Sequence, residues 1–242
     1  MARRLVRELD EALGRLRGDP PAKDLVSIIC HDLKDPLASI VMGTGFLKKT
    51  NAVEEPSVRR VVDAISRSAD RMTQVVSDFH DLAKLDTGLL PFDARPTDVV
   101  GVIQAALAPF EAQAREKQVA LGLESGQARP MALCDRGRLG QIVTKLVGNA
   151  LRFTPAEGSV TVAVAPQDGR LRIAVRDTGR GIAADRIPAI FDHAANARRT
   201  PRDGPGMGLP IARGLVELHG GELTVESVLG EGSTFAFSLP AA

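Results

Sequence analysis

The chain has no tryptophan and no tyrosine, so its eight phenylalanines and four histidines are the only rings available to stack on a ligand. It has two cysteines, Cys30 and Cys134, far apart and without metal-ligand spacing, which reads as small buried hydrophobes in a reducing compartment. No apolar run approaches bilayer-spanning length, and Met1-Ala2-Arg3-Arg4 leads into charged helix rather than a leader-like stretch. The chain as given therefore reads as soluble and cytoplasmic. A net charge of +1 gives no reason to expect nucleic acid or an anionic membrane as partner. What is present is ordinary for a globular protein: 242 residues, 44% hydrophobic and 25% charged, enough for one large domain or two small ones.

Leu5, Leu9, Ala12 and Leu16 alternate at spacings of four and three, so residues 1–18 read as the end of a coiled coil, closed by Gly18-Asp19-Pro20-Pro21. Asp19 can cap a new helix, along which Leu25, Ile29, Leu33, Leu37 and Ile40 recur at helical spacing. The polar run from Thr50 to Pro56 is a turn. After it, Val58, Val61, Ile65, Ser68, Met72, Val75, Phe79 and Leu82 keep a seven-residue repeat until Gly88. Val62, Ala69, Val76 and Ala83 widen that stripe beyond what one partner helix can cover. A hairpin over residues 19–90 therefore predicts a homodimer that closes a four-helix bundle.

Leu89 to Thr97, with Pro91 and Pro96, reads as a linker. Over residues 95–242 the pattern predicts a helix at about 97–116, strands Val119–Leu123 and Met131–Cys134, and a helix at about 136–152. A hairpin of Ser159–Ala165 and Leu171–Arg176 follows, turning at Asp168-Gly169, then a polar stretch from Ala183 to Pro205. A helix at about 207–219 and strands Glu222–Ser227 and Thr234–Leu239 close the chain. The fold class is α+β: a helical hairpin forming a dimeric four-helix bundle, then an α/β sandwich.

Chemistry concentrates first in Ile29-Cys30-His31-Asp32-Leu33-Lys34-Asp35-Pro36-Leu37. A neutral imidazole nitrogen is a competent nucleophile near neutral pH, and the adjacent Asp32 carboxylate can hold the tautomer and take the second ring proton as a phosphoramidate forms. Pro36 removes a donor and crowds the carbonyl of Asp32, bending the helix beside His31. A helix face that happens to carry His-Asp explains the segment equally well, so the decision falls to the C-terminal half.

There, four pieces occur in order: Asn149-Ala150-Leu151-Arg152-Phe153-Thr154-Pro155, Asp177-Thr178-Gly179-Arg180-Gly181-Ile182, Ile190-Phe191 and Gly204-Pro205-Gly206-Met207-Gly208-Leu209. Lys145, Asn149 and Phe153 share one helix face. Asp177 ends a strand, where its carboxylate can accept from the exocyclic amine of adenine, a contact that guanine, with a carbonyl there, cannot make. The glycines of the second piece let backbone come close to a base. Gly204, Gly206 and Gly208 open an apolar helix whose N–H groups can meet polyphosphate, without the Gly-Lys-Ser/Thr of a P-loop.

Together with the His31 segment, these motifs resemble the sensor histidine kinase catalytic core, whose ATP-binding domain has the Bergerat fold shared with gyrase-type ATPases. The resemblance covers about residues 20 to 240. It implies His31 as phosphoacceptor, residues 19–90 as the dimerisation and phosphotransfer domain, and residues 95–242 as the ATP-binding domain. It also implies Asn149 as Mg²⁺ ligand, Arg152 on phosphate, Phe153 near adenine, and a lid over ATP from Asp185 to Asp203 with Arg186, Arg198, Arg199 and Arg202. A response-regulator receiver domain is the implied partner, and an upstream sensor domain is expected beyond the coiled coil.

Two positions depart from the family pattern. Lys145 stands where the family usually has asparagine one turn before the Mg²⁺ ligand; it either contacts phosphate or weakens Mg-ATP binding. Asp35 stands where the family usually positions water for dephosphorylating its partner, and a carboxylate there repels phosphoryl oxygens. The alternative reading is a pseudokinase or dimeric scaffold with weak nucleotide binding. A gyrase-type ATPase is disfavoured because no glutamate base stands on the Asn149 helix. His80-Asp81 repeats the His-carboxylate pair without the following proline and reads as a solvated position, with His193 and His219 as lid and helix-end residues.

Overall fold

The computed structural model describes residues 33, 37–40, 42–47, 56–126, 129–192 and 206–242. They divide into two units, with the boundary between Ala83 and Lys84, and Gly206 and Met207 fall with the first.

In the first unit, residues 37–40 and 42–47 are helical, and helix α1 runs Pro56–Asp86. The two helices approach closely at Gly43, where an added β-carbon would lie 2.6 Å from Ile65 Cγ1. The seven-residue stripe of α1 is only partly covered: Val58, Val75 and Leu82 are buried, whereas Val62 and Val76 stay 48% and 54% exposed. Helix α1 ends in the second unit with a paired cap. Gly88, at φ +68°, donates to Leu85 O at 3.1 Å, and Leu89 donates to Lys84 O at 3.0 Å.

The second unit opens differently from the sequence reading. Residues predicted as linker and helix start form strand β1 (Arg95–Asp98), antiparallel to β3 (Met131–Cys134) in a separate two-stranded sheet. Asp98 accepts the Gly101 N–H at 3.1 Å and caps α2 (Val99–Leu107). The single helix expected to reach residue 116 is broken at Pro109, which has no N–H for the ladder. A 3₁₀ turn, Ala108–Phe110, separates α2 from α3 (Glu111–Glu116).

The main sheet has strand order β2-β4-β5-β7-β6 (Ala120–Ser125, Ser159–Gln167, Arg170–Asp177, Gly232–Pro240, Thr224–Val228). Only β2 and β4 run parallel. The β4–β5 turn places Asp168 and Gly169 at φ +50° and +74°, the left-handed pair that a two-residue hairpin demands. Alternation buries Val160, Val162, Ile173, Val175, Phe237 and Leu239 on one face and places Arg172, Arg176 and Thr234 on the other, where the small Ala174 and Ala236 are also buried. Helix α4 (Arg136–Phe153) packs between α2 and α5 (Gly208–Leu218) over the buried face. Its Leu139, Ile142 and Leu146 join Ile211 and Leu215 of α5 in the core. The α/β sandwich is as the pattern implied.

Candidate functional site

Helix α4 starts because Asp135 caps it, its carboxylate accepting from Gly137 N at 2.9 Å and Arg138 N at 3.1 Å. Lys145, Asn149 and Phe153 follow at one-turn spacing, half-buried beside the fully packed Leu146, Val147 and Leu151. The helix end would leave carbonyls unmet, and Lys117 answers two of them: its Nζ donates to Leu151 O at 2.6 Å and Arg152 O at 2.9 Å. Arg180 lies with its guanidinium 4.4 Å from the Phe153 ring centroid, and Arg152 at 5.6 Å. The ring that the resemblance places near adenine thus already carries a cation on it.

Asp177 lies on the inward side of β5, and is buried. Burial pushes its carboxyl above the ordinary carboxylate range, while hydrogen bonds from the Gly179 and Ser233 backbone N–H groups pull the other way. The Gly179 bond to Oδ1 is 2.8 Å. A β-carbon on Gly179 would sit 2.7 Å from both that oxygen and Phe153 O, so no side chain fits there. Gly181, at φ +64°, would drive a β-carbon into the carbonyl oxygen of Val228.

The turn between these glycines is held on two sides. Arg180 N donates to Phe153 O at 3.4 Å, while Gly230 N donates to Arg180 O and Ser227 Oγ accepts from Ile182 N, each at 2.8 Å. Thr178 Oγ1 accepts from Ser159 N at 2.8 Å. The end of α4 and the β6–β7 hairpin therefore clamp a backbone that only glycine permits.

Gly206 adopts φ +69°, and Gly208 opens α5. A β-carbon on Gly208 would meet Lys145 Cδ at 3.8 Å, so the lysine of α4 lies beside the start of α5. The structure thus brings Phe153 to Gly179 and Asp177, and Lys145 to Gly208, with Asn149 between Lys145 and Phe153 on one helix. His31, Asp32, Asp35, Gly204, His193 and the arginines at 198, 199 and 202 lie outside the described residues. Among the described residues no group of three His, Cys, Asp or Glu side chains could hold a metal. Also among the described residues, no helix is long and apolar enough to cross a membrane. His80 is an exposed position of α1, as the sequence reading had it.

Three residues with structural consequences were given no role from sequence: Lys117, Asp135 and Arg180. Asp135 alone carried a legible signal, a cap residue directly before a helical run. Lys117 and Arg180 act through contacts of high sequence separation, as does His219, read from sequence as a helix-end residue without chemistry.

Residues 22–88 match the His Kinase A (phospho-acceptor) domain, and residues 134–242 match the histidine kinase-, DNA gyrase B- and HSP90-like ATPase family. The chain is 32% identical over 220 residues to an uncharacterized sensor-like histidine kinase of Rhizobium meliloti, covering 89% of this chain and 42% of that one. It is 34% identical over 217 residues to the histidine protein kinase DivJ of Caulobacter vibrioides, covering 87% and 36%. The full-length ShkA structure in complex with AMPPNP superposes with TM-score 0.68 at 28% identity, over 91% of this chain and 46% of that one. The histidine kinase AdeS of Acinetobacter baumannii shares the fold at TM-score 0.69 and 17% identity, over 87% and 97%.

The chain belongs to the sensor histidine kinases and comprises their catalytic core, a phosphoacceptor region followed by an ATPase domain. It spans less than half the length of both curated relatives.

Proposed function

We propose that this core binds Mg-ATP, phosphorylates itself on His31 and passes the phosphoryl group to an aspartate on a separate receiver domain. The observation that carries the ATP reading is Asp177: a buried carboxylate with two backbone donors, surrounded by backbone that admits only glycine. Two of its four acceptor sites are used, and the others suit the exocyclic amine of adenine. Phe153 supplies the ring beside the base, Arg152 and Lys145 the positive charge, and the Gly204, Gly206 and Gly208 segment backbone N–H groups for the phosphates. Asn149 would hold Mg²⁺, its amide oxygen being a hard neutral ligand; the bound ion offsets phosphate charge.

In the transfer, a neutral ring nitrogen of His31 attacks the γ-phosphorus. The bond from that phosphorus to the bridging oxygen breaks, ADP leaves, and Asp32 takes the ring proton. Catalysis then rests mainly on positioning. ATP as donor puts the reaction in the cytoplasm. ThkA has been solved in complex with response regulator protein TrrA, which supports a receiver domain as the acceptor here.

A second copy of the chain is the proposed cover for the apolar face of the first unit. Met42, Phe46, Val62 and Val76 remain 71%, 43%, 48% and 54% exposed there. A sensor segment preceding the core in the whole protein is the proposed source of the signal. Asp35, by repelling phosphoryl oxygens, is proposed to keep phosphatase activity toward the receiver low.

The test is incubation with γ-labelled ATP and Mg²⁺, comparing wild type with His31→Gln. Acid-labile label lost in the variant supports the kinase. No label together with no measurable ATP binding favours the scaffold reading.

A further inference from the structure

His219 follows the last turn of α5 and is buried, yet phosphoryl transfer makes no use of it. Its Nδ1 lies 2.7 Å from Leu215 O, and since a carbonyl only accepts, that nitrogen carries the ring proton. Nε2 is then the acceptor, and it receives the Asp135 backbone N–H at 3.2 Å. The neutral ring is held in one tautomer by α5 on one side and the residue capping α4 on the other.

The segment between α1 and β1 closes on the same pair. Phe92 meets the His219 ring edge-on, with centroids 4.8 Å apart and planes at 88°. The next residue, Asp93, donates its N–H to Asp135 Oδ2 at 3.0 Å. Farther along α5, Leu85 lies against Gly214, its Cδ1 3.0 Å from where a β-carbon would be. Asp135 thus serves three ends at once: one carboxylate oxygen caps α4, the other holds Asp93, and its N–H reaches His219. Desolvation is outweighed by the backbone donors to its carboxylate, from Asp93, Arg138 and Gly137, and by the Arg138 charge, so the carboxyl lies below the usual carboxylate range.

Helix α4 carries Lys145, Asn149 and Phe153, and α5 begins at Gly208. Both are tied to the linker at the ends away from these residues. We propose that Asp135 and His219 are positioning residues coupling the Phe92–Asp93 segment to the nucleotide site, so that a seated linker favours nucleotide binding and bound nucleotide keeps the linker seated. The coupling rests on the ATP reading of α4, Asp177 and α5. It works because packed helices shift as rigid elements, and linkage makes the effect equal in both directions.

The test is hydrogen exchange of peptides covering Leu90 to Pro96 with and without Mg-AMPPNP, alongside AMPPNP affinity, in wild type, Phe92→Ala, Phe92→Tyr and His219→Gln. Nucleotide is expected to slow linker exchange in wild type. Phe92→Ala and His219→Gln should weaken nucleotide binding by about fivefold, matching the factor by which nucleotide slows exchange, the size of a modest coupling. Phe92→Tyr, which keeps the ring, should restore both. If wild type binds nucleotide while exchange is unchanged, or if Phe92→Ala loosens the linker with affinity intact within twofold, the coupling is overturned and the ATP reading stands. A wild type that binds no nucleotide overturns both.

Discussion

The stem of Lys145 lies against Gly208, its Cδ 3.8 Å from the place a β-carbon would take. A cation thereby joins the positive end of α5, where an anion is already favoured. This favours phosphate contact over interference with the metal. Lys145→Asn should weaken ATP binding measured without Mg²⁺ by about five- to tenfold, the effect of one partly exposed charge-assisted contact. It should also make affinity depend more steeply on Mg²⁺ in titrations with a fluorescent ATP analogue. Tighter binding by the variant at all Mg²⁺ concentrations would show that the lysine hinders the metal instead.

In the proposed function, Asp177 trades stability for recognition. Its folded carboxyl is raised by burial, so its stabilising contribution is fully present below the unfolded carboxylate pKa and is lost as pH rises through the folded value. At neutral pH the ionised group costs stability, and Asp177→Asn should unfold at the same temperature or higher. Asparagine can still accept from Gly179 and Ser233, but its remaining group is an NH₂, which donates toward the adenine amine. Nucleotide affinity should fall at least tenfold, since a buried polar mismatch is expensive. In wild type, affinity should drop on acidification at a pH above the usual carboxylate range, read by calorimetric titration across pH.

Gly181→Ala forces a β-carbon at positive φ into Val228 O. The expected loss is at least about 2 kcal/mol together with nucleotide binding. Gly122→Ala, in β2 with nothing within 4 Å of the new carbon, should stay within about 0.5 kcal/mol of wild type. Equal effects of the two substitutions in urea unfolding would refute the assignment of the turn as a glycine-only clamp.

Asp135→Ala removes the α4 cap and should cost about 1 kcal/mol at neutral pH. The wild-type carboxyl is lowered in the folded state, so its contribution is present above the unfolded carboxylate pKa and disappears as pH falls through the folded value. The difference between variant and wild type in urea midpoint should therefore shrink toward zero in strong acid. A difference independent of pH would place the effect elsewhere than the carboxylate.

Much of this architecture was legible because it is local. The β4–β5 hairpin follows from alternation plus Asp168-Gly169, the α1 stop from Gly88, and α4 from its apolar period. Strand β1 was missed since four residues with Pro96 among them look like linker, and the strand they pair with, β3, lies beyond residue 130 in sequence. The break at Pro109 was present in the sequence but was overridden by the apolar period on both sides. At the site, Asp177 and the glycines were singled out by a strand end and by motifs in order, whereas Arg180 on Phe153, Lys117 at the end of α4 and the His219–Asp135 bond are tertiary contacts that no periodicity encodes.

The central claim is that His31 carries the phosphoryl group, and the most direct measurement is mass spectrometry of the Mg-ATP-treated protein digested under alkaline conditions that preserve phosphoramidates. The account predicts a phosphate on the peptide containing His31, lost on acid treatment and absent when Asp177→Asn replaces wild type. Phosphate on His80 instead, or none on any histidine while ATP is bound, would contradict it.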